Sequence, residues 1–154
     1  MRVVEEPKQR AWSQELYDRA VEFHGHGGPF MVIGLRMGIL ALDRLDSKGW
    51  FDISCRAMLR WKPPDSCIID GIQSSTGCTT GKHNLVVDED EGVAAEFRSG
   101  EKTVLVILKD AVLSTIRKAI SMDNSGKVHE GEAESFMQYL IDALAAQLFE
   151  VIER

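Results

Sequence analysis

Apolar residues recur along this chain in two rhythms, one of three to four residues and one of two. Between Ser13 and Gly25 the longer rhythm puts Leu16, Tyr17, Ala20 and Val21 on one stripe, with Ser13 placed to cap the helix and Gln14 and Glu15 in its first turn. Gly25, Gly27 and Gly28 end it. Pro29, whose missing N–H costs nothing in a first helical turn, opens a second helix to about Leu45. Gly34, Gly38 and Leu42 share one face of that helix, where small residues allow another element to approach closely.

From Ser54 to Trp61 the rhythm shortens. Cys55, Ala57, Leu59 and Trp61 point one way and Arg56, Met58 and Arg60 the other, which predicts a half-buried strand. Pro63-Pro64 stops it, and Asp65 or Ser66 caps a third helix through about Thr76, with Gly77 as its C-terminal turn. Strands near Asn84 to Val87, Val93 to Arg98 and Thr103 to Leu108 follow, read as an antiparallel meander. A fourth helix spans about Ala111 to Met122 and ends at Asn124-Ser125-Gly126. A last helix, about Glu130 to Ile152, carries Ala133, Phe136, Met137, Leu140, Leu144, Leu148 and Val151 at helical spacing. Its broad apolar set suits either covering the sheet or building a homodimer. Helices and strands are segregated, so the expected class is α+β: about four antiparallel strands packed with about five helices in a single domain over residues 1–154.

Composition narrows the functions. The 154 residues are 44% hydrophobic and 27% charged, as in a globular protein. A formal charge of −6 and an isoelectric point near 5.2 argue against nucleic acid or anionic lipid as the main partner, since both need a basic face. The N-terminal MRVVEEPKQR has no apolar signal core, which points to a cytoplasmic protein. The longest apolar run, Pro29 to Leu42, contains Arg36 and is shorter than the roughly 20 residues of a membrane span. Three cysteines without a secretion signal are reduced thiols, ligands or reactive groups rather than a disulfide framework.

Two segments carry chemistry. In FHGHGGPF, residues 23–30, the glycines favour a loop in which His24 and His26 share a side and can reach one ion. If the first helix runs one turn further, His24 instead follows Ala20 by four residues and becomes a core histidine. In SCIIDGIQSSTGCTTGKHNL, residues 66–85, Cys67 falls in a first helical turn, where the dipole and unbonded N–H groups lower a thiol's pKa. The competing reading makes Cys67 a small buried residue. Asp70 lies one turn on. Cys78 follows the helix, and eleven residues at about 1.5 Å rise would separate it from Cys67 by roughly 16 Å, too far for two Zn–S bonds of about 2.3 Å on one ion unless the chain folds back. The run GCTTGK departs from a phosphate loop in spacing, in His83 and in the helix before it, so nucleotide binding of that kind is excluded. The Thr79-Thr80-Gly81 backbone and Lys82 remain able to hold an anionic or carbonyl group.

Together FHGHGGPFMVIGLRMG and CIIDGIQSSTGCTTGKHNL resemble the FmdE family of formylmethanofuran dehydrogenase subunits, in order and spacing over about residues 13 to 110. Its motifs are His-Gly-His-x-Cys-Pro-Gly entering a helix with Gly-x-Arg, then Cys-x-x-Asp-x-Ile-Gln, then Thr-Gly-Cys-Thr-x-Gly-Lys-Gly-Asn-Leu. The resemblance implies an α+β fold, often dimeric, and a metal site at His24, His26, Cys67 and Cys78, with Asp70, Gln73, Thr79, Lys82 and Asn84 around it. It implies zinc, with nickel or iron as alternatives, since mixed imidazole and thiolate ligands suit these ions. It associates the chain with one-carbon metabolism and methanogenesis. Two departures stand out: Gly28 replaces the motif's cysteine, with Phe30 for the glycine after the proline, and His83 replaces the glycine after Lys82. The paired change suggests that His83 partly compensates for the lost ligand. No cysteine follows Cys78, so the C-terminal zinc module of some members is not expected here.

The functional expectations are therefore three. The chain is a metal-binding protein, or a metal-dependent enzyme on a small carbonyl or formyl compound in which Cys67, Asp70 and Lys82 act and Gln73, Thr79 and Asn84 bind. Alternatively it is an accessory or metal-delivery subunit of a larger oxidoreductase.

Overall fold

A computed structural model describes the backbone of residues 11–124 and 130–154 and the side chains of 11–120 and 134–154. The readings at MRVVEEPKQR, at Ser125-Gly126 and at the Ala133 side chain lie outside these residues. The described elements are α1 (Gln14–His24), α2 (Pro29–Leu45), β1 (Ser54–Leu59), α3 (Cys67–Thr76), β2 (Leu85–Glu89), β3 (Ala94–Ser99), β4 (Lys102–Leu108), α4 (Asp110–Asn124), α5 (Glu130–Asp142), α6 (Ala145–Leu148) and β5 (Phe149–Glu153). The α+β class holds. No helix of the described residues is long and apolar enough to cross a membrane.

Local signals act as the sequence implies at the first two helices. The Leu16 N–H donates to Ser13 Oγ at 3.0 Å, and Gly25 turns left-handed at φ 102° so that its N–H reaches the Val21 carbonyl. Pro29 opens α2, of which Phe30, Met31, Val32, Ile33, Leu35, Met37, Ala41 and Leu42 are buried. The small face of α2 meets α3 backbone to backbone. A Cβ at Gly34 would collide with the Ile68 carbonyl oxygen, and one at Gly71 would lie 2.7 Å from the Leu35 nitrogen.

The sheet differs from the expected meander. Its order is β2-β1-β3-β4-β5: β1 sits between β2 and β3, parallel to the former and antiparallel to the latter. The cause is α3, since a helix between two strands returns the chain in the direction it left and makes a parallel pair. One face of the sheet carries Cys55, Ala57, Leu59, Ala95, Phe97, Val104, Val106 and Leu108 into the core under the helices. Strand β1 ends at Leu59, so Trp61 does not continue the buried row and is 59% exposed. On the other face Arg56 pairs with Asp88, and Arg60 with Glu91 at 3.1 Å.

The last helix is also shorter than its periodicity implies. It stops at Asp142, one further turn follows as α6, and residues 149–153 pair with β4 as the fifth strand. Arg36 explains the stop. From α2 its guanidinium donates to the carbonyls of Leu140 at 2.7 Å, Ile141 at 2.8 Å and Ala143 at 2.6 Å, groups a helix end leaves unbonded. Burial lowers its pKa and Asp142 opposes the shift, so it stays charged. Arg36→Met is expected to cost about 3 kcal/mol, because charged hydrogen bonds are lost and half-buried carbonyls are left bare. Urea denaturation would check this, and Arg36→Lys, which cannot span three carbonyls, should recover only part of the loss.

Candidate functional site

A cleft of about 380 Å³ opens at the β2 edge of the sheet, between α3, the end of α1 and the segment after β1. His24, Cys67, Asp70 and Gln73 line it together with Trp61, Lys62, Ser66 and Thr80. Helical spacing aligns the α3 residues: Cys67, Asp70 and Gln73 recur every three positions and face the cleft as one row.

His24 is the last residue of α1, so the helix does reach it, yet the left-handed Gly25 then swings His26 back beside it. The two rings stand edge to face with centroids 4.6 Å apart. The His24 side chain is only 9% exposed, and its Nδ1 lies 2.5 Å from Asp70 Oδ2. Against a carboxylate, which only accepts, Nδ1 carries the hydrogen and donates it. The other oxygen of Asp70 accepts from Gln73 Nε2 at 3.1 Å. Asp70 is thereby held to orient the imidazole. His24 Nε2 is buried and has no hydrogen-bond partner among the described residues.

Cys67 is half-buried, and its thiol pKa is raised, first by burial and then by the Asp70 charge. The expected thiolate at a helix N-terminus is corrected by burial and by the Asp70 carboxylate one turn on. The N–H groups of Cys67, Ile68 and Ile69 donate to the carbonyls of Pro64, Asp65 and Ser66, and what the Cys67 N–H still gives the sulfur is less than burial and the Asp70 charge take away. Neither expected side-chain cap forms. Ser66 makes no capping bond, and the buried Asp65 carboxylate accepts from Arg117 of α4 at 2.8 Å.

The other expected site residues lie elsewhere. Cys78 is fully buried beyond the far end of α3, its Sγ 3.6 Å from the Ile53 carbonyl, and burial raises its thiol pKa. Cys55 is buried as well, and desolvation with Cys78 nearby pushes its thiol well up. The structure therefore does not bring Cys78 to Cys67. Lys82 Nζ donates to Thr79 Oγ1 at 3.1 Å and stands 5.7 Å from the centre of the Phe51 ring, outside the cleft. Asn84 accepts from the Thr79 N–H at 2.9 Å and donates to the carbonyls of Trp50 and Ile53, so Thr79 and Asn84 pin the turn. His83 is exposed in a left-handed conformation at φ 59° and does not line the cleft, so it does not replace the missing cysteine there. No three His, Cys, Asp or Glu side chains among the described residues form a ready ligand cluster. His24 and Cys67 do fit half of a four-coordinate site: one imidazole nitrogen without a partner, its orienting carboxylate, and one sulfur on the same cleft. Lys62 carries no signal in the sequence, Trp61 reads there as a strand residue and Thr80 only as part of a turn backbone; the early end of β1 at Leu59 turns Trp61 and Lys62 toward the cleft.

These features define an α+β domain with helices packed on a mixed sheet and a histidine, carboxylate and thiol cleft at the sheet's edge. The chain belongs to the FmdE family (FmdE, Molybdenum formylmethanofuran dehydrogenase operon), whose family model matches residues 23–153. It is 28% identical over 133 residues to a probable S-adenosyl-L-methionine-binding protein of Archaeoglobus fulgidus, covering 84% of this chain and 33% of that protein. The chain thus spans a third of the length of that curated relative. Its fold matches the crystal structure of a tungsten formylmethanofuran dehydrogenase FmdE-like protein from Syntrophus aciditrophicus, with a TM-score of 0.62 and 20% identity over 94% of this chain and 73% of that one.

Proposed function

We propose that this chain binds a transition metal, zinc first, through His24 Nε2 and Cys67, with His26 as the next donor and open positions for water or a small ligand. The observation that carries the reading is the buried His24 Nε2 without a partner on a ring whose Nδ1 is already held by Asp70. Metal-bound histidines are oriented by a second hydrogen bond of this kind. A bound metal would supply Lewis acidity toward a carbonyl or formyl oxygen in the cleft. The chain's own residues supply the rest: Asp70 and Gln73 fix the imidazole, Trp61 and Ile69 give apolar walls, and Lys62 and Thr80 present a charge and a hydroxyl to a polar ligand. The family suggests a place in one-carbon metabolism, as an accessory component of a larger oxidoreductase or as a stand-alone metal-dependent protein, in either case cytoplasmic. A second copy of the chain is a natural source for a further ligand.

Metal content per chain, measured by elemental analysis on tag-free protein purified without oxygen, tests this. Near-stoichiometric metal is expected in the natural sequence and little in His24→Asn or Cys67→Ser. Asp70→Asn should weaken affinity about 10–100-fold, the usual cost of losing an orienting partner. No metal in the natural chain after reconstitution would overturn the reading.

A second reading is favoured by Trp61, whose exposed ring borders the same cleft as the Asp70 carboxylate. An aromatic face beside a negative charge suits a cationic ligand with a planar base, such as the S-adenosylmethionine for which the Archaeoglobus relative is named. Calorimetric titration with S-adenosylmethionine would show saturable binding, lost in Trp61→Ala, if this reading holds.

A further inference from the structure

Strand β2 is an edge of the sheet and also a wall of the cleft, and its two sides are not equivalent. The Cys55 N–H donates to the Asn84 carbonyl at 2.8 Å, and the Asp90 N–H donates to the Leu59 carbonyl at 2.9 Å. With the parallel register Cys55↔Leu85 to Leu59↔Glu89 between them, the even-numbered residues of β2 bond to β1. The odd-numbered residues, Leu85, Val87 and Glu89, turn their N–H and carbonyl groups outward. Among the described residues no hydrogen bond reaches these outward groups. The side chains of Leu85 and Val87 line the cleft, so the free backbone runs along its rim.

Charge adds a preference. Asp88, Glu89, Asp90 and Glu91 close the strand, and Arg56 and Arg60 offset only Asp88 and Glu91. Glu89 accepts from the Trp61 N–H at 2.7 Å and Asp90 from the Gly92 N–H at 2.9 Å, both neutral donors, and among the described residues neither carboxylate forms an ion pair. Exposed edges are normally short, charged or covered so that they do not recruit other chains. Here the edge is short and charged, and the charge has one sign.

We propose that the open edge of β2 is a docking strand for an extended peptide segment of a partner protein that carries basic residues, which adds to the sheet beside Leu85 and Val87. Backbone hydrogen bonds would supply affinity, and alternate side chains of the guest would lie over the cleft, the division of labour of strand addition elsewhere. A lysine or arginine toward the end of the guest meets Glu89 and Asp90. The inference goes beyond the metal reading and holds whether or not a metal is bound.

The test is a displayed library of random decapeptides selected on the tag-free chain, with affinities of recovered peptides measured by fluorescence anisotropy. Peptides with alternating apolar positions and flanking lysine or arginine are expected. Val87→Pro removes one outward N–H and none of the bonds to β1, so it should weaken binding at least tenfold. As a measurement that leaves the protein untouched, N-methylation of the peptide at alternate positions should abolish binding for one parity and spare it for the other. Recovery of no peptide, or binding indifferent both to Val87→Pro and to N-methylation, would overturn the proposal. So would a dimer of this chain that blocks the selected peptides and dissociates in Val87→Pro, because the edge would then belong to a second copy.

Discussion

Gly34→Ala is expected to destabilise the chain by about 3 kcal/mol, the upper end of what added core volume costs, and Gly34→Val is expected not to fold. The obstacle is the Ile68 carbonyl, a backbone atom within α3 that cannot rotate away as a side chain would. Relief would require α2 and α3 to separate, and the apolar residues on both helices would then lose their contacts together. Gly71→Ala fails for the reciprocal reason, against Met31 and Leu35. Urea unfolding midpoints give the comparison. Gly92→Ala, whose Cβ would meet only Asp90 Oδ1 at an ordinary 3.6 Å, should change stability by less than about 0.5 kcal/mol. A Gly34→Ala protein as stable as the natural one would mean that the two helices are not in backbone contact.

Gly28→Cys is expected to raise zinc affinity about 100-fold, since each ligand of a structural zinc site carries roughly 3 kcal/mol of an apparent 10–16 kcal/mol. The backbone accepts the change: φ −154° and ψ 163° are extended values open to any residue. A Cβ there lies 3.5 Å from His26 Cε1 and 3.6 Å from Nδ1, ordinary contacts that set the new sulfur beside the imidazole. Gly27→Cys is the control, because its Cβ would run into the Tyr17 ring and bring strain without a ligand. Competition with a chromophoric chelator measures both. Equal affinity in Gly28→Cys and the natural chain would show that His26 stands apart from the metal.

The close approach of α2 was legible from Gly34 and Gly38, because side-chain size is a local property. The parallel pair was missed: the strands after α3 read as an antiparallel meander, although the helix between β1 and β2 returns the chain in the direction it left. The end of α5 was not. Phe149, Val151 and their neighbours satisfy a helical stripe and a two-residue alternation equally well, and the choice is made by Arg36, more than a hundred positions earlier. At the site, His24, Cys67 and Asp70 stand out by residue type and position, and Gln73 only through the family resemblance; all four line the cleft. Cys78, Lys82, Thr79 and Asn84 share the same motif but point to the core or stitch a turn, a difference that depends on how the chain leaves α3. The raised Cys67 pKa was not legible, because a helix start seen in sequence does not disclose how far the sulfur is buried or that the Asp70 charge acts on it.

The strand order has a consequence for a chain emerging from the ribosome. β1 is made first, β2 joins one of its sides and β3 the other, β4 then extends β3, and β5 extends β4. Each new strand meets a free border of what already exists, and none has to pry open a finished pair. Assembly can thus follow synthesis from β1 outward, and the longest wait falls between β4 and β5, while α4 to α6 are being made. During that interval the β4 border is bare, and the arrival of residues 149–153, with Thr103 and Arg154 exchanging backbone hydrogen bonds, closes it.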